Sequence, residues 1–340
     1  MISKETLDYG AYQVVVNCLR TQPSEKVCIT TDEKTLHIAE AIKEQFLKIT
    51  DKVKLFKMED YGQRPEDGTN ALVFPEEIGE YLKTSDVSVY AAMSKKGELQ
   101  TFRVPMLTII DEANTIRHGH MPNVNDMLME MGMAADYAKI KETNANIMKI
   151  VTGAKEAKVT TEAGSNFTVT LDPNWKWVNC DGNIQADNWS NLPDGEVFTC
   201  ARDINGKVVI DGVLGDFMNA KYGEISASPV VCEIKDGRVI SVICENNKDI
   251  ENDILEYMKI DENANRIGEF AIGTNLGLER LVGNLLQDEK FPGVHIAMGH
   301  GYPEKTGSDW TSAAHLDMVI QKTTIEIDGK MIMKAGDFVI

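Results

Sequence analysis

A change of pattern near residue 150 constrains the fold more than any other feature of the sequence. Before it, short apolar runs alternate with stretches of helical periodicity, which is typical of a parallel sheet with crossover helices. After it, β-rich runs follow one another through turn sequences such as Asp236-Gly237, the strongest hairpin signal in the chain. We therefore predict an α/β (Rossmann-like) domain with a parallel sheet at residues 1–152 and a β-rich α+β domain at residues 153–340.

The pattern also predicts individual elements. Strands of the first half are expected at residues 24–32, 53–58, 86–93 and 106–111. Helices are expected at residues 5–20, 33–48, 124–132, 134–150, 249–260 and 278–287, with one more beginning near Pro75. No G-x-G-x-x-G or Walker sequence follows any predicted strand, so the α/β pattern does not indicate a nucleotide site.

The net charge of −18 argues against partners that need a basic surface. Nucleic acid and anionic membrane faces both attract Lys and Arg, so we expect neither as a partner. No run approaches the roughly 18 apolar residues of a membrane span. The N-terminal residues also lack the apolar core and cleavage site of a signal peptide. We therefore expect a cytoplasmic protein.

The segment Val294–Asp317 contains three of the six histidines and predicts a metal site. His295 begins a short apolar strand, and His315 and Asp317 begin the next one. Residues i and i+2 of a strand point to the same face, so His315 and Asp317 can share one site. Two interpretations of this His-x-Asp pair stay open: both residues bind a metal, or the aspartate only orients the histidine.

Two glutamates are positioned by their local sequence to join these residues. Glu196 follows the Asp-Gly turn of LPDGEVFTC, Glu269 follows the glycine of RIGEFAIGTN, and each begins an apolar strand. A carboxylate at the start of a buried strand is costly to leave unpaired. Taken alone, each glutamate is more often a carboxylate at the rim of a fold. Together with the histidines and Asp317, the two would complete a mixed carboxylate and imidazole ligand set.

The remaining histidines of interest have no assigned role. His118 and His120 lie in RHGHMP beside Arg117, where two histidines at i, i+2 can bind an anion or a metal. The alternative, which we favour, is a solvated loop that leads to a helix. His300 lies within the Val294–Asp317 segment, and we interpret it as part of a pocket wall or as a residue that supports a metal ligand.

Four motifs, LPDGEVFT, RIGEFAIGTN, HIAMGHGY and AAHLDMV, resemble in this order the metal-site motifs of the M29 metallo-aminopeptidases, the aminopeptidase T and aminopeptidase S group. The resemblance covers mainly residues 155–340. It implies a pair of divalent ions (zinc, cobalt or manganese) held by the residues that match the family's ligands, which are Glu196, Glu269, His295, His315 and Asp317. The family's active-site tyrosine corresponds to Tyr302. The resemblance also implies peptide substrates and a homodimer.

The predicted function is the hydrolysis of N-terminal residues from peptides by a metal-activated water. The C-terminal part also resembles the iron-dependent 2,5-dihydroxypyridine dioxygenase. That enzyme keeps a set corresponding to His295, His315 and Asp317, which suits non-haem iron, and lacks the first glutamate. We favour a hydrolase because a single iron would not need both Glu196 and Glu269. A catalytically idle metal-binding protein is the third alternative.

Departures from the M29 motifs leave the preferred substrate side chain open. Cys200-Ala201 stands where the family usually has Ala-Pro, and the loop between Tyr302 and His315 is shorter than in the peptidases. In an active site, Tyr302 would donate a hydrogen bond to the developing oxyanion. Its spacing alone is equally consistent with a packed loop tyrosine.

Overall fold

The computed structural model describes residues 2–340, apart from the side chain of Asp216. The chain packs into two compact units. The first comprises Met1–Tyr137 and Gly182–Asp194, and the second comprises Ala138–Asp181 and Gly195–Ile340. The boundary between folding domains at residues 152 and 153 stays a prediction. Within residues 2–340, every helix is too short or too polar to span a bilayer.

The helices and strands are numbered in chain order. Helices α1 to α10 are Lys4–Tyr12, Leu36–Leu47, Glu76–Leu82, Val104–Ala113, Asp126–Glu130, Tyr137–Val151, Asp216–Tyr222, Lys248–Tyr257, Leu285–Asp288 and Pro303–Thr306. Strands β1 to β18 are Val27–Thr31, Val53–Lys57, Val87–Ala92, Arg117–Pro122, Glu156–Thr160, Asn166–Thr170, Val178–Cys180, Ser190–Asn191, Glu196–Thr199, Asp203–Ile210, Val230–Lys235, Arg238–Ile243, Ile267–Gly273, Gly293–Gly299, His315–Ile320, Thr324–Ile327, Lys330–Lys334 and Asp337–Phe338. Gln13–Cys18 and Leu99–Arg103 are π-helical, and Met58–Asp60 is a 3₁₀ turn.

The first unit contains a parallel sheet in the order β2-β1-β3-β4-β8. Strands β1 and β3 are buried along their whole length, as expected for strands covered on both faces. The predicted strands at residues 24–32, 53–58 and 86–93 are therefore confirmed. The predicted parallel sheet with intervening helices is confirmed as well.

The predicted strand at residues 106–111 is wrong, because this apolar run lies inside α4. Met106 and Ile110 are buried one helical turn apart, Pro105 lies in the first turn, and Asn114 ends the helix in a left-handed conformation. The fourth strand is instead β4, for which the sequence predicts a solvated loop. It pairs with β3 along its whole length.

The helix predicted at residues 278–287 is also largely wrong, since only α9 forms there. The Asp288 carboxylate accepts hydrogen bonds from the backbone N–H groups of Val282, Gly283 and Asn284 at 2.7–3.1 Å. These amides are satisfied by a side chain, so they need no helical partners. The helices predicted at 134–150 and 249–260 are confirmed as α6 and α8.

The second unit contains two antiparallel sheets. One has eight strands in the order β12-β11-β10-β6-β5-β16-β17-β18, and the other has five in the order β15-β14-β13-β9-β7. The predicted hairpin turn joins β11 to β12, with positive φ at both Asp236 and Gly237. Side chains of both sheets form one apolar core. The fold class is thus confirmed as an α/β unit and a β-rich unit.

Candidate metal centre

The five-stranded antiparallel sheet of the second unit, β15-β14-β13-β9-β7, packs one face against the core and carries the candidate site on the other face. Val197, Phe270 and Ile296 point into the core. Side chains alternate along a strand, so the neighbours Glu196 and His295 point to the opposite face. The site is therefore assembled on the face that does not pack against the eight-stranded sheet.

A β-bulge places Glu269 on the same face. The register of β13 against β14 shifts between Ile267 and Glu269, and Glu269 pairs with Ala297. Without the extra residue, Glu269 would share the face of Ile267, which lies in the core. Gly268 fills the bulge, where a Cβ atom would lie 2.3 Å from the carbonyl oxygen of His300. Glycine is thus required for this backbone path.

Small residues separate the polar side chains across the sheet. Ala297 of β14 lies between Glu269 of β13 and Asp317 of β15. Ala271 of β13 pairs directly with His295 of β14. Methyl groups at these positions leave space among the longer side chains around them.

Two groups of three potential ligand atoms form around Glu269. Glu196, Glu269 and His295 each offer one atom within 4.8 Å of the others, and so do Glu269, His315 and Asp317. His295 Nε2 lies 3.2 Å from Glu269 Oε1 and 3.6 Å from Glu196 Oε2. His315 Nε2 lies 3.7 Å from Glu269 Oε2 and 3.3 Å from Asp317 Oδ1. The two oxygens of Glu269 therefore face different histidines.

The electrostatics of this cluster favour bound positive charge. Burial lowers the pKa of His295, but the hydrogen bond to Glu269 and the nearby carboxylates outweigh it and raise the pKa to about 9. Burial also lowers the pKa of His315, but the carboxylates of Asp317 and Glu269 outweigh this effect and raise the pKa to about 9. For Asp317, burial raises the pKa, but the imidazoles of His315 and His295 lower it to about 2. The carboxylates thus favour bound cations, either metal ions or, where no metal is bound, the protons on the two imidazoles.

One buried oxygen of the cluster fits a metal site. Glu196 Oε2 has no hydrogen-bond partner. A buried polar atom without a partner is costly, and a coordinated ion removes that cost for Glu196 Oε2. Carboxylate oxygens and imidazole nitrogens together suit divalent transition metals. All five candidate ligands are brought together, and their role as ligands stays a prediction.

Tyr302 lies beside this cluster. Its hydroxyl is 3.3 Å from His315 Nε2, and its ring contacts Phe198 and His300. The backbone of Tyr302 is left-handed, with φ +50°, which is uncommon for a bulky residue and recurs at functional sites. Burial, followed by the charge of Glu269, raises the pKa of the phenol well above its usual value. The hydroxyl therefore keeps its proton and can donate it in a hydrogen bond.

Three further polar residues next to the candidate ligands were missed from the sequence. The ammonium of Lys290 lies 2.6 Å from Glu196 Oε1 and 2.7 Å from Glu289 Oε1. The Asn144 side chain donates a hydrogen bond to the backbone oxygen of Glu196 at 3.0 Å. Lys290 and Glu289 follow α9 in a segment without a motif, and Asn144 lies inside α6. No sequence signal distinguishes these residues from exposed ones.

His300 stays outside the two ligand groups. Its Nδ1 accepts a hydrogen bond from the backbone N–H of Ser312 at 3.4 Å, and its ring packs edge-on against Tyr302. Its role in a pocket wall stays a prediction.

His118 and His120 form a buried hydrogen-bonded chain in the first unit. Arg103 donates to His120 Nε2 at 3.0 Å, so His120 carries its proton on Nδ1 and donates to His118 Nε2, also at 3.0 Å. His118 then donates from Nδ1 to Ser88 Oγ at 2.7 Å. Both histidines are 1 % exposed, so the expected solvated loop is wrong. Their nitrogens are satisfied within the fold.

Residues 127–338 match the family model of the thermophilic metalloproteases (M29). No curated protein matches the sequence. Among solved structures, wild-type AmpT from Thermus thermophilus is 16% identical with a TM-score of 0.71, over 99% of this chain and 100% of its own. The 2,5-dihydroxypyridine dioxygenase from Pseudomonas putida KT2440 is 17% identical with a TM-score of 0.69, over 100% of this chain and 98% of its own. At these identities the two structures show a shared fold. The family match covers more than half of the chain, which therefore belongs to the M29 family of metalloproteases and is a metal-dependent peptide hydrolase.

Proposed function

We propose that the chain is an aminopeptidase that removes N-terminal residues from peptides at a two-metal centre. One ion would be held by Glu196, Glu269 and His295, and the other by Glu269, His315 and Asp317. The observation that carries the proposal is the position of Glu269, whose oxygens face His295 at 3.2 Å and His315 at 3.7 Å. A carboxylate placed between two ligand groups is suited to bridge two ions.

Glu196 favours a peptidase over a single-iron dioxygenase. The fold is shared with both AmpT and 2,5-dihydroxypyridine dioxygenase, so it does not separate the two chemistries. A single iron would be satisfied by His295, His315 and Asp317. Glu196 is nevertheless buried beside His295, with Oε2 unpartnered. A second ion would give this oxygen a partner.

The chain's own residues would bind and orient the substrate. When bound, the two ions would activate a water, polarise the scissile carbonyl and hold the free α-amine. Tyr302 would donate a hydrogen bond to the oxyanion that develops on that carbonyl. The packing of Tyr302 against Phe198 and His300 would hold its hydroxyl in place for this contact.

A combined metal and turnover experiment tests the proposal. The protein is loaded with zinc, cobalt or manganese, and bound metal is counted by mass spectrometry. Release of free amino acids is measured on a peptide panel, with N-acetylated peptides of the same sequences as the matched control. We expect about two ions per chain, turnover of free peptides, and no turnover of the acetylated ones, since they lack the α-amine.

Variants separate the alternatives. Glu196→Ala should retain about one ion and lose peptidase activity, and Asp317→Ala should do the same through the other ligand group. A protein that binds one iron, consumes oxygen and tolerates Glu196→Ala would instead be a dioxygenase. A protein that binds metal without turnover on either type of substrate would support the idle metal-binding alternative.

The homodimer and the cytoplasmic location stay predictions from the sequence. The metal identity is likewise open among zinc, cobalt and manganese, because mixed oxygen and nitrogen ligands accept all three. Size-exclusion chromatography with light scattering measures the oligomeric state. Reconstitution with each metal identifies the most active form.

A further inference from the structure

Lys290 is a buried cation in direct contact with a candidate ligand. Its side chain is 4 % exposed, and its ammonium lies 2.6 Å from Glu196 Oε1 and 2.7 Å from Glu289 Oε1. An ammonium at these distances forms charge-assisted hydrogen bonds with both carboxylates. Lys290 therefore already engages one of the two oxygens of Glu196.

The backbone around Lys290 is held firmly against the sheet. Its carbonyl oxygen accepts a hydrogen bond from the backbone N–H of Asn275 at 3.0 Å. Gly273, the last residue of β13, packs so closely on this segment that a Cβ atom would lie 2.1 Å from the carbonyl oxygen of Phe291. On the other side, Asp288 binds three backbone amides of the preceding loop. Lys290 thus approaches Glu196 from a fixed position.

The two candidate glutamates differ because of this contact. Glu269 directs its two oxygens to His295 and His315. Glu196 has Oε1 bound to Lys290, and only Oε2 faces His295, at 3.6 Å. Oε2 is also the oxygen that has no hydrogen-bond partner. One glutamate is thus arranged to bridge, and the other to offer a single oxygen.

We propose that Lys290 is a positioning residue that fixes Glu196 as a one-oxygen ligand of the ion held with Glu269 and His295. The inference rests on the proposed two-metal function. Groups that orient a ligand typically change metal affinity by about 10–100-fold when they are removed. Lys290 forms an ion pair with Glu196 of one ligand group, whereas it acts on Asp317 of the other group through its charge. Its removal should therefore weaken mainly the ion held with Glu196.

The variant must keep the buried charges balanced. Lys290→Met alone would leave Glu196 and Glu289 without their shared cation, which destabilises a buried cluster. The double variant Lys290→Met/Glu289→Gln removes the cation together with one of its two carboxyl partners. Lys290→Arg keeps the cation with a different shape, and Lys330→Met removes an exposed lysine of the same unit as a control.

The measurement is a zinc titration of the metal-free protein against a chelating competitor, with folding checked by circular dichroism. Glu196→Ala and Asp317→Ala identify the two binding steps, since each removes a ligand from a different group. In the double variant we expect the step lost in Glu196→Ala to weaken about 10–100-fold, and the other step to stay within about threefold. Lys290→Arg should recover part of the loss, and Lys330→Met should match the wild type.

Two results would overturn the role of Lys290. Either both steps keep wild-type affinity in the double variant, or both weaken by the same factor. A wild-type protein that binds a single ion contradicts the two-metal function itself. The wild-type titration and the variant titration therefore report the two failures separately.

Discussion

Acid should destabilise the first unit through its two buried histidines. His118 and His120 are 1 % exposed, and each is a neutral member of a hydrogen-bonded chain that ends at Arg103. Burial and the charge of Arg103 lower the pKa of His118 to about 3. Burial, His118 and Arg103 lower the pKa of His120 well below its usual value. The unfolded chain binds protons at these histidines more readily than the folded one.

The size of the effect follows from His118. An unfolded histidine has a pKa of about 6.5, so at pH 5 the unfolded state gains about 2 kcal/mol from protonation that the folded state does not gain. Because the folded pKa is depressed, this contribution to stability is complete above pH 6.5 and is lost as the pH falls towards 3. His120 acts in the same direction.

The assay compares variants, because other groups also titrate. His295 and His315 have raised pKa values and therefore act in the opposite direction on acidification. Urea unfolding is measured at pH 7 and pH 5 for the wild type and for His118→Asn, whose amide can still reach Ser88. The variant should be less stable at pH 7, and its deficit should shrink by about 2 kcal/mol at pH 5.

A non-titrating variant provides the control. Phe102→Leu removes buried volume from the same unit and should show the same deficit at both pH values. In the native wild type, the histidine NMR signal assigned to His118 should not move between pH 7 and pH 5. A deficit of His118→Asn that is equal at both pH values, or a His118 signal that titrates near pH 6.5, would refute the reasoning.

Two further predictions concern the candidate metal centre. Tyr302→Phe should lower kcat by about 10²–10³-fold, because one hydrogen-bond donor to the oxyanion is lost. The amount of bound metal and the thermal unfolding temperature should stay near wild-type values. An unchanged kcat would indicate that Tyr302 only packs against its neighbours. Metal affinity should rise about tenfold per pH unit for each of His295 and His315 up to about pH 9, because a proton must leave each imidazole before it binds. Chelator competition from pH 6.5 to 8.5 measures this dependence, and a flat profile would contradict it.

Strands were predictable where burial and residue type agreed. The runs that became β1 and β3 are rich in β-branched residues and are fully buried. The run at residues 106–111 failed because a continuous apolar stretch fits either a strand or a buried helix. RHGHMP failed for the opposite reason. Its polar residues looked solvated, although a hydrogen-bonded chain satisfies both histidines inside the fold.

The candidate ligands were predictable because each lies within the first three residues of a strand. Glu196 and His315 are the first residues of β9 and β15, and Glu269 and His295 are the third residues of theirs. Local sequence marks such positions through the preceding turn. Lys290 could not be found this way, because only its ion pair with Glu196 marks it, and the two residues are far apart in the sequence.

Glu269 shows how far a site can depend on a single register shift. Alternation along β13 would place Glu269 on the same face as Ile267, and Ile267 belongs to the core. The bulge at Gly268 reverses this outcome and turns the carboxylate towards His295 and His315. A glycine before a strand normally indicates only a turn, so the bulge is defined by the pairing with β14 and not by the local sequence. The position of Glu269 between His295 and His315 is therefore a property of the folded sheet.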